Sequence, residues 1–598
     1  MPAVFYSLLR SRPRRLLVAV PLTALLLAQP LAFAAQQPSS SVLLDTMTSE
    51  LDRAFHALGR QPGADTERQL PPYFISYSVA DANQVEIRAQ YGALISSAAN
   101  HVRVADIQIR LGSPALDNTH GDHRASAVHS VLLPLTDDRA AIARSLWVGT
   151  DTGYGTAVDN YLRVKTEAEV RAKEEDNSPD FSKEPPTVAL HAPAPPIVID
   201  RAAWQKRVRE LSSIFREYPD VYQNMVIFSV QNETDYLTSS EGSRVVSPHL
   251  LARLVAVAVT RADDGMDLFR AQTFEAETAD GLPSQTEMEA AIRELGKSLE
   301  ALRKAPVTVP FNGPAILSGR AAAVFFHEVL GHRLEGQRQR GDEEGQTFTK
   351  DIGKEVLPTF LSVADDPTLQ RFGSTWLSGT YTYDDEGQKA DRVQLIKDGV
   401  LKTFLMSHLP IAGFSESNGH GRAQTGRMPN GRQGNLIVSS TKTVSDAKLR
   451  EELIEEAKKQ GKPYGLYFED ISSGFAVTQR SSPQAFQVIP LVVYRVYVDG
   501  RPDELVRGVG IVGTPLAAMK SILATGDKSE VFNGECGAES GTIPVSAVAP
   551  AILLSQIETQ RQPQGTARPP ILPIPGSPAA KAGAPADESS SVVKKEAQ

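Results

Sequence analysis

The chain has one cysteine, Cys536, in 598 residues. It has no partner for an intrachain disulfide, so the fold is not a disulfide scaffold and the thiol needs another purpose. Basic runs are also lacking. With a formal net charge of −9 and no Lys/Arg-rich helix, the chain is a poor match to the phosphate-neutralising footprint of a nucleic-acid binder. Beyond the first thirty residues no stretch is apolar enough to cross a membrane as a helix, and there is no internal repeat.

The N-terminus carries the marks of a secretory signal. Arg10, Arg12, Arg14 and Arg15 precede the apolar run 16–28, and Ala32-Phe33-Ala34 gives a small-x-small cleavage site. No cysteine follows it, which argues against a lipoprotein anchor. Arg14-Arg15 also fits a twin-arginine signal, but paired arginines are common in ordinary signals and the general export route is the expectation. Cleavage after Ala34 removes four arginines and no acid, moving the formal charge from −9 to −13. The mature protein is expected to be periplasmic or secreted, with no membrane anchor after cleavage.

The pattern after residue 34 suggests an α+β chain: N-terminal α/β units followed by a β-rich C-terminal domain carrying a distorted metal-binding helix. The expected divisions are 1–34 signal peptide, 35–185 N-terminal α/β domain, 186–305 central α/β domain, 306–561 β-rich domain and 562–598 disordered Pro/Ala/Ser-rich tail. Leu43, Leu44, Met47, Leu51 and Phe55 recur at helical steps. Strands are expected over 73–79, 102–111 and 225–230, and helices over 137–161 and 201–218. Ser284 and Glu287 form a capping box that opens a helix reaching Lys304. Asp398-Gly399 and Asp499-Gly500 mark tight hairpins.

The chemistry centres on Phe325-Phe326-His327-Glu328-Val329-Leu330-Gly331-His332. Ser318 can cap this segment, which is apolar around most of its circumference and so must be buried. Burying His327, Glu328 and His332 without partners would cost several kcal/mol. A metal and water would supply those partners, with the Cys536 thiolate completing the ligands; two histidines satisfied by ordinary hydrogen bonds are the alternative. The histidines are five apart, not the four of a zinc-protease helix. Five residues rotate by about 500°, leaving the rings roughly 140° apart. A local irregularity is therefore expected between Glu328 and His332, either a π-bulge or a helix that ends near Gly331.

The segment from His327 to Gly336 resembles the active-site motif of the TldD/PmbA metallopeptidase family. Asp385-Glu386-Gly387, the run Ser417 to Arg422, Arg427-Met428-Pro429-Asn430 and Cys536 to Gly541 with Pro544-Val545 resemble its further motifs, in order. The resemblance implies a Zn2+ peptidase of the motif-bearing, TldD-like branch, with His327, His332 and Cys536 as ligands and Glu328 as base. It implies unfolded or short peptides as substrate, and a homodimer or a heterodimer with a TldD/PmbA paralogue. Other zinc hydrolases, such as a cell-wall amidase, and a non-catalytic partner subunit remain as alternatives.

Such a site leaves a fourth tetrahedral position for water. Glu335 is a rival ligand, or an acceptor for an imidazole N–H. His420 and Arg422 are candidates for stabilising the oxyanion, with a solvated loop as the plain alternative. His120, His123 and His129 read as a solvated loop, with a surface metal site as the other reading.

Overall fold

The computed structural model describes residues 41–60, 69–121, 124, 127–170, 176–340, 345–479, 485–562, 568–570, 572 and 575. The expected signal peptide, nearly all of the expected tail and His123 lie outside these residues.

Two sheets organise the chain, a mixed α/β fold with a β-rich second half. In the first, β1 (Pro72–Gln90), β2 (Ala93–Ser113), β3 (Gln223–Ser239), β4 (Arg244–Arg261) and β5 (Asp267–Ala276) lie in the order β2–β1–β3–β4–β5, all antiparallel. Shorter strands pair with β2 and β4. The strands expected over 73–79 and 102–111 belong to one long hairpin, turned by Tyr91 at φ 45° and Gly92 at φ 80°.

The expected units 35–185 and 186–305 share this sheet, since β1 pairs with β3 from Ser76↔Ser239 to Ala89↔Val226. Side chains alternate along a strand, so Ile75, Tyr77, Val79, Val85, Ile87 and Ala89 all leave one face of β1. The first three join a core with α1 (Val42–Ala57) and α2 (Arg139–Val170). The last three join a second core with α3 (Arg201–Ser213) and α4 (Gln285–Lys304). Two helix pairs thus cover two lengths of one sheet face. In α4 the capping box of Ser284 and Glu287 is formed, and Met288, Ile292, Leu295, Leu299 and Leu302 are buried. Each such burial contributes about 1.5–3 kcal/mol.

The second sheet holds β6 (Phe311–Leu317), β7 (Tyr464–Ala476), β8 (Phe486–Tyr497), β9 (Ile522–Ala538) and β10 (Gly541–Arg561). β6 pairs with β7 and with β10, β7 with β8, β8 with Val509–Gly513, and that strand with β10, closing a ring. Closure leaves no free edge within the ring. The Asp398-Gly399 hairpin is present, with φ of 49° and 78° at its turn. α5 (Gly319–Val329) follows β6 and packs against β7, β9 and β10. Every residue of α5 except Arg320 is buried.

The halves are tied by ion pairs that cross between them. Arg253 meets Glu535, and Arg270 Nη1 lies 2.6 Å from Asp470. Arg507 lies 3.0 Å from Asp264.

Candidate metal centre

α5 starts where Ser318 Oγ accepts the Ala321 N–H at 3.1 Å while donating to Glu469 O at 2.8 Å. It ends at Val329, and a 3-10 turn, Gly331–Leu334, follows. This is the second form of the expected irregularity: His332 comes back from a turn and not from the helix. Arg333 makes the ending stable by donating to Glu328 O at 3.3 Å and Val329 O at 3.2 Å, carbonyls that the stopped helix leaves free. A Cβ at Gly331 would sit 1.9 Å from Gln433 Oε1, so a side chain there would have to displace that buried amide.

Cys536 lies near the end of β9, opposite Ile543 of β10. Arg432, fully buried, donates to Cys536 O at 2.8 Å, Ser540 Oγ at 2.7 Å and Gly541 O at 3.2 Å, which fixes this hairpin end.

The two segments bring three donors together. Cys536 Sγ is 3.2 Å from His327 Nε2 and 3.4 Å from His332 Nε2, and the three donor atoms lie within 4.8 Å of one another. The rings stand 5.0 Å apart at 78°. Ideal Zn–S and Zn–N lengths at a tetrahedral angle put S and N about 3.6 Å apart. The observed spacings are close to that edge, and two imidazoles with a thiolate are a zinc-type donor set. The residues fit a metal ion.

Burial opposes the thiolate, but the His332 and His327 rings outweigh it and hold Cys536 well below the usual thiol range. Burial also opposes the His332 imidazolium, yet Glu335 and Cys536 outweigh it and raise that ring well above its ordinary value. The cluster therefore favours the form of sulfur that binds metals.

Glu335 is fully buried. Its Oε1 is 3.1 Å from His332 Nδ1 and 3.4 Å from Arg432 Nε, and its Oε2 accepts from Arg338 Nε at 3.3 Å. Burial opposes its charge, but His332, Arg338 and Arg432 outweigh it and bring the carboxyl down to about 2. It occupies the far nitrogen of His332, the side turned away from Cys536. Glu328 Oε2 stands 3.8 Å from His332 Nε2. Gly474 on β7 makes room for it, since a Cβ there would lie 2.7 Å from Glu328 Cγ.

A cleft of about 670 Å3 opens over these groups, lined also by residues 472–479, Arg320, Phe532 and Arg338. His420 and Arg422 are not in its lining. His420 is fully buried, 3.3 Å from Asp365, and Arg422 stacks on Tyr381 while donating to Gln433 O and Pro544 O. Both brace the interior, and neither lines the cleft where an oxyanion would form. His120 lies 2.8 Å from Asp180, and it forms no donor cluster with His129 among the described residues. Sequence reasoning missed Arg338 and Arg432. Arg432 stands about a hundred residues from Glu335 and gives no local signal, while Arg338, three residues on, pairs with it across a short 3-10 turn, Gly336–Gln339, that the spacing alone did not mark.

Residues 311–561 match the description "PmbA/TldA metallopeptidase C-terminal domain". The chain belongs to the TldD/PmbA family. Among curated relatives of this family, it is 28 % identical over 252 residues to the "Metalloprotease TldD homolog" of Haemophilus influenzae, covering 41 % of this chain and 47 % of that protein. It is 27 % identical over 247 residues to the "Zinc metalloprotease TldD homolog" of Saccharolobus solfataricus, covering 41 % and 51 %. The matches thus span about half the length of these relatives.

Among solved structures, TldE from Thermococcus kodakarensis superposes with a TM-score of 0.55 at 12 % identity, covering 87 % of this chain and 100 % of that one. A protein of Thermotoga maritima titled a putative modulator of a DNA gyrase gives 0.54 at 13 %, covering 86 % and 99 %. At such identities the likeness is one of fold.

Proposed function

We propose that this TldD/PmbA member is a zinc-dependent metallopeptidase that hydrolyses peptide bonds in unfolded or short peptides. The observation that carries the reading is the convergence of His327, His332 and Cys536 beside Glu328 at the floor of a large cleft. Relatives that carry metalloprotease names support it, one of them naming zinc.

In this reading His327 and His332 would offer Nε2 and Cys536 would offer Sγ to the ion. When bound, zinc supplies Lewis acidity toward the scissile carbonyl and lowers the pKa of water to about 7. Glu328 takes the proton of the attacking water and passes it to the departing amine. Glu335 accepts from His332 Nδ1, and with an ion bound this contact would leave Nε2 to the ion. Gly331 and Arg333 set that ring's position through the turn.

The remaining parts of the proposal follow the same support. Export to the periplasm or outside rests on the arginine-led apolar run before Ala34. Pairing with a second copy or a paralogue rests on the likeness to a protein named TldE. The DNA-gyrase title of one neighbour belongs to that protein, and the acidic balance here disfavours contact with nucleic acid.

The test is cleavage of a mixed library of unfolded peptides, read by mass spectrometry, with zinc content measured in the same preparations. Wild type should cut, and Glu328→Gln should hold equal zinc without cutting. Zinc bound with no cleavage by either would move the assignment to an amidase or a non-catalytic subunit.

A further inference from the structure

The first sheet has a second face. Ser76 and Ser78 of β1, Asp106 of β2, Glu233 and Asp235 of β3, and Ser247 and His249 of β4 alternate with the core residues and so point away from the helices. A polar face of this kind normally meets solvent. Here the turn Tyr383–Gln388 and residues 423–429 cover it, leaving a cavity of about 120 Å3. Asp106, Glu233, Asp235, Glu241, Asp385 and Glu386 all line it.

Asp384 is spent on structure, accepting the N–H groups of Glu386, Gln388 and Gly421. The other acids are less occupied: Asp385 takes one N–H, from Ala423, and Glu386 takes one, from His408. Of the nearby cations, His249 pairs with one of the cavity's own acids, and two arginines are engaged outside it. His249 Nε2 is 3.0 Å from Asp235, Arg110 is 2.7 Å from Asp117, and Arg124 donates to Asn430 and Pro429 O. Arg427 alone among the described arginines joins the lining, and it is exposed.

A second observation also calls for a ligand. His408 belongs to the lining, is 5 % exposed, and its Nε2 has no hydrogen-bond partner. Burial pushes its pKa to about 4, with Arg110 and Arg124 adding to the effect against Glu184. The ring is therefore neutral and has an acceptor to give. Burial likewise raises Glu386 to about 7, and burial with Asp235 beside it raises Glu233 to about 8. Against burial, Asp235, Glu233 and Asp385 raise His249 above its ordinary value, yet the seven carboxyl groups of the lining still outnumber its two cationic side chains, His249 and Arg427.

We propose that it binds an alkylammonium group, the charged end of a lysine side chain or of a peptide's N-terminus. A metal ion suits it less. Among the described residues, three donors gather within 4.8 Å only at His327, His332 and Cys536, so these carboxylates are spread around the space. An ammonium brings three N–H donors for spread acceptors. The cavity has room for the five heavy atoms of butylammonium, since one water needs only about 10–15 Å3 on the same measure.

The inference does not depend on peptidase activity, because binding is read without turnover. Calorimetry at low salt would compare Nα-acetyl-lysine methylamide, alanine methylamide and Nα-acetyl-norleucine methylamide. Saturable binding of at least one amine is expected, and which one binds assigns side chain or terminus. Glu233→Gln and Asp385→Asn should each weaken it at least tenfold with unchanged unfolding midpoints, while surface Glu294→Gln should not. Cys536→Ser should leave it intact, which separates this cavity from the metal cleft. No saturable binding, equal binding of the norleucine compound, or indifference to both cavity substitutions would overturn the proposal.

Discussion

Replacing Glu335 tests how the centre is held. Its carboxylate meets His332 Nδ1 at 3.1 Å, Arg338 Nε at 3.3 Å and Arg432 Nε at 3.4 Å, with no exposure to water. In Glu335→Gln the negative charge facing His332 and both arginines is lost, and the new NH2 faces N–H groups. His332 then loses its fixed tautomer. Loss of such a partner typically weakens metal binding 10- to 100-fold, about 1.4–2.7 kcal/mol. Glu335→Ala goes further, leaving Arg432, itself fully buried, with an uncompensated charge. Breaking a buried pair in this way costs about 3–5 kcal/mol of stability. Chelator competition would give the zinc affinity of each variant, and denaturant unfolding its stability. If Glu335→Gln held zinc as tightly as wild type, the positioning role would be refuted. If Glu335→Ala were equally stable, the arginine contacts would carry no energetic weight.

Gly331→Ala would drive a Cβ to 1.9 Å from Gln433 Oε1; loss of about 1–3 kcal/mol and weaker zinc binding are expected, checked by unfolding and metal analysis. Gly474→Ala presses on Glu328 Cγ at 2.7 Å, so kcat should fall in the peptide assay while zinc content holds. Glu233 and Glu386 titrate at about 8 and about 7 in the fold against 4.5 ordinarily. The folded state then binds protons the unfolded chain has released, so stability should fall as pH rises from about 4.5 to 8. Glu233→Gln should flatten that slope in unfolding measured across the range, and an unchanged slope would count against the cavity electrostatics. Ser284→Ala removes the cap of α4 and should cost about 1 kcal/mol in unfolding with metal binding untouched.

Elements whose signals are local were legible in the sequence. The steps Leu43, Leu44, Met47 and Leu51 gave α1, the Ser284/Glu287 box gave the start of α4, and Asp398-Gly399 gave its hairpin. The long β1–β2 hairpin was read only at its outer parts. Residues 91–100 are mostly exposed and rich in Ala and Ser, and the turn Tyr91-Gly92 lacks the usual Asn-Gly or Asp-Gly signature. β4 and β5 went unread, β4 because apolar residues stand on both faces around Leu250–Ala258 and blur the alternation. At the site, the five-residue spacing of the histidines demanded a break in the helix, but whether a bulge or a turn supplied it was open.

By itself, then, the sequence determined the residue types of the centre, the need for a distortion between Glu328 and His332, and the helices with caps and periodic faces. These follow from interactions within a few residues. Only the tertiary structure decided that Cys536 lies 3.2 Å from a histidine 209 positions away, that Arg432 reaches Glu335 from a distant segment, and that two helix pairs share one sheet. It also decided that a polar sheet face is roofed by the turn Tyr383–Gln388 to make an acidic cavity, while His420 and Arg422 brace the interior. Each of these depends on strand register and packing between distant segments, and neither is encoded in any short window of the chain.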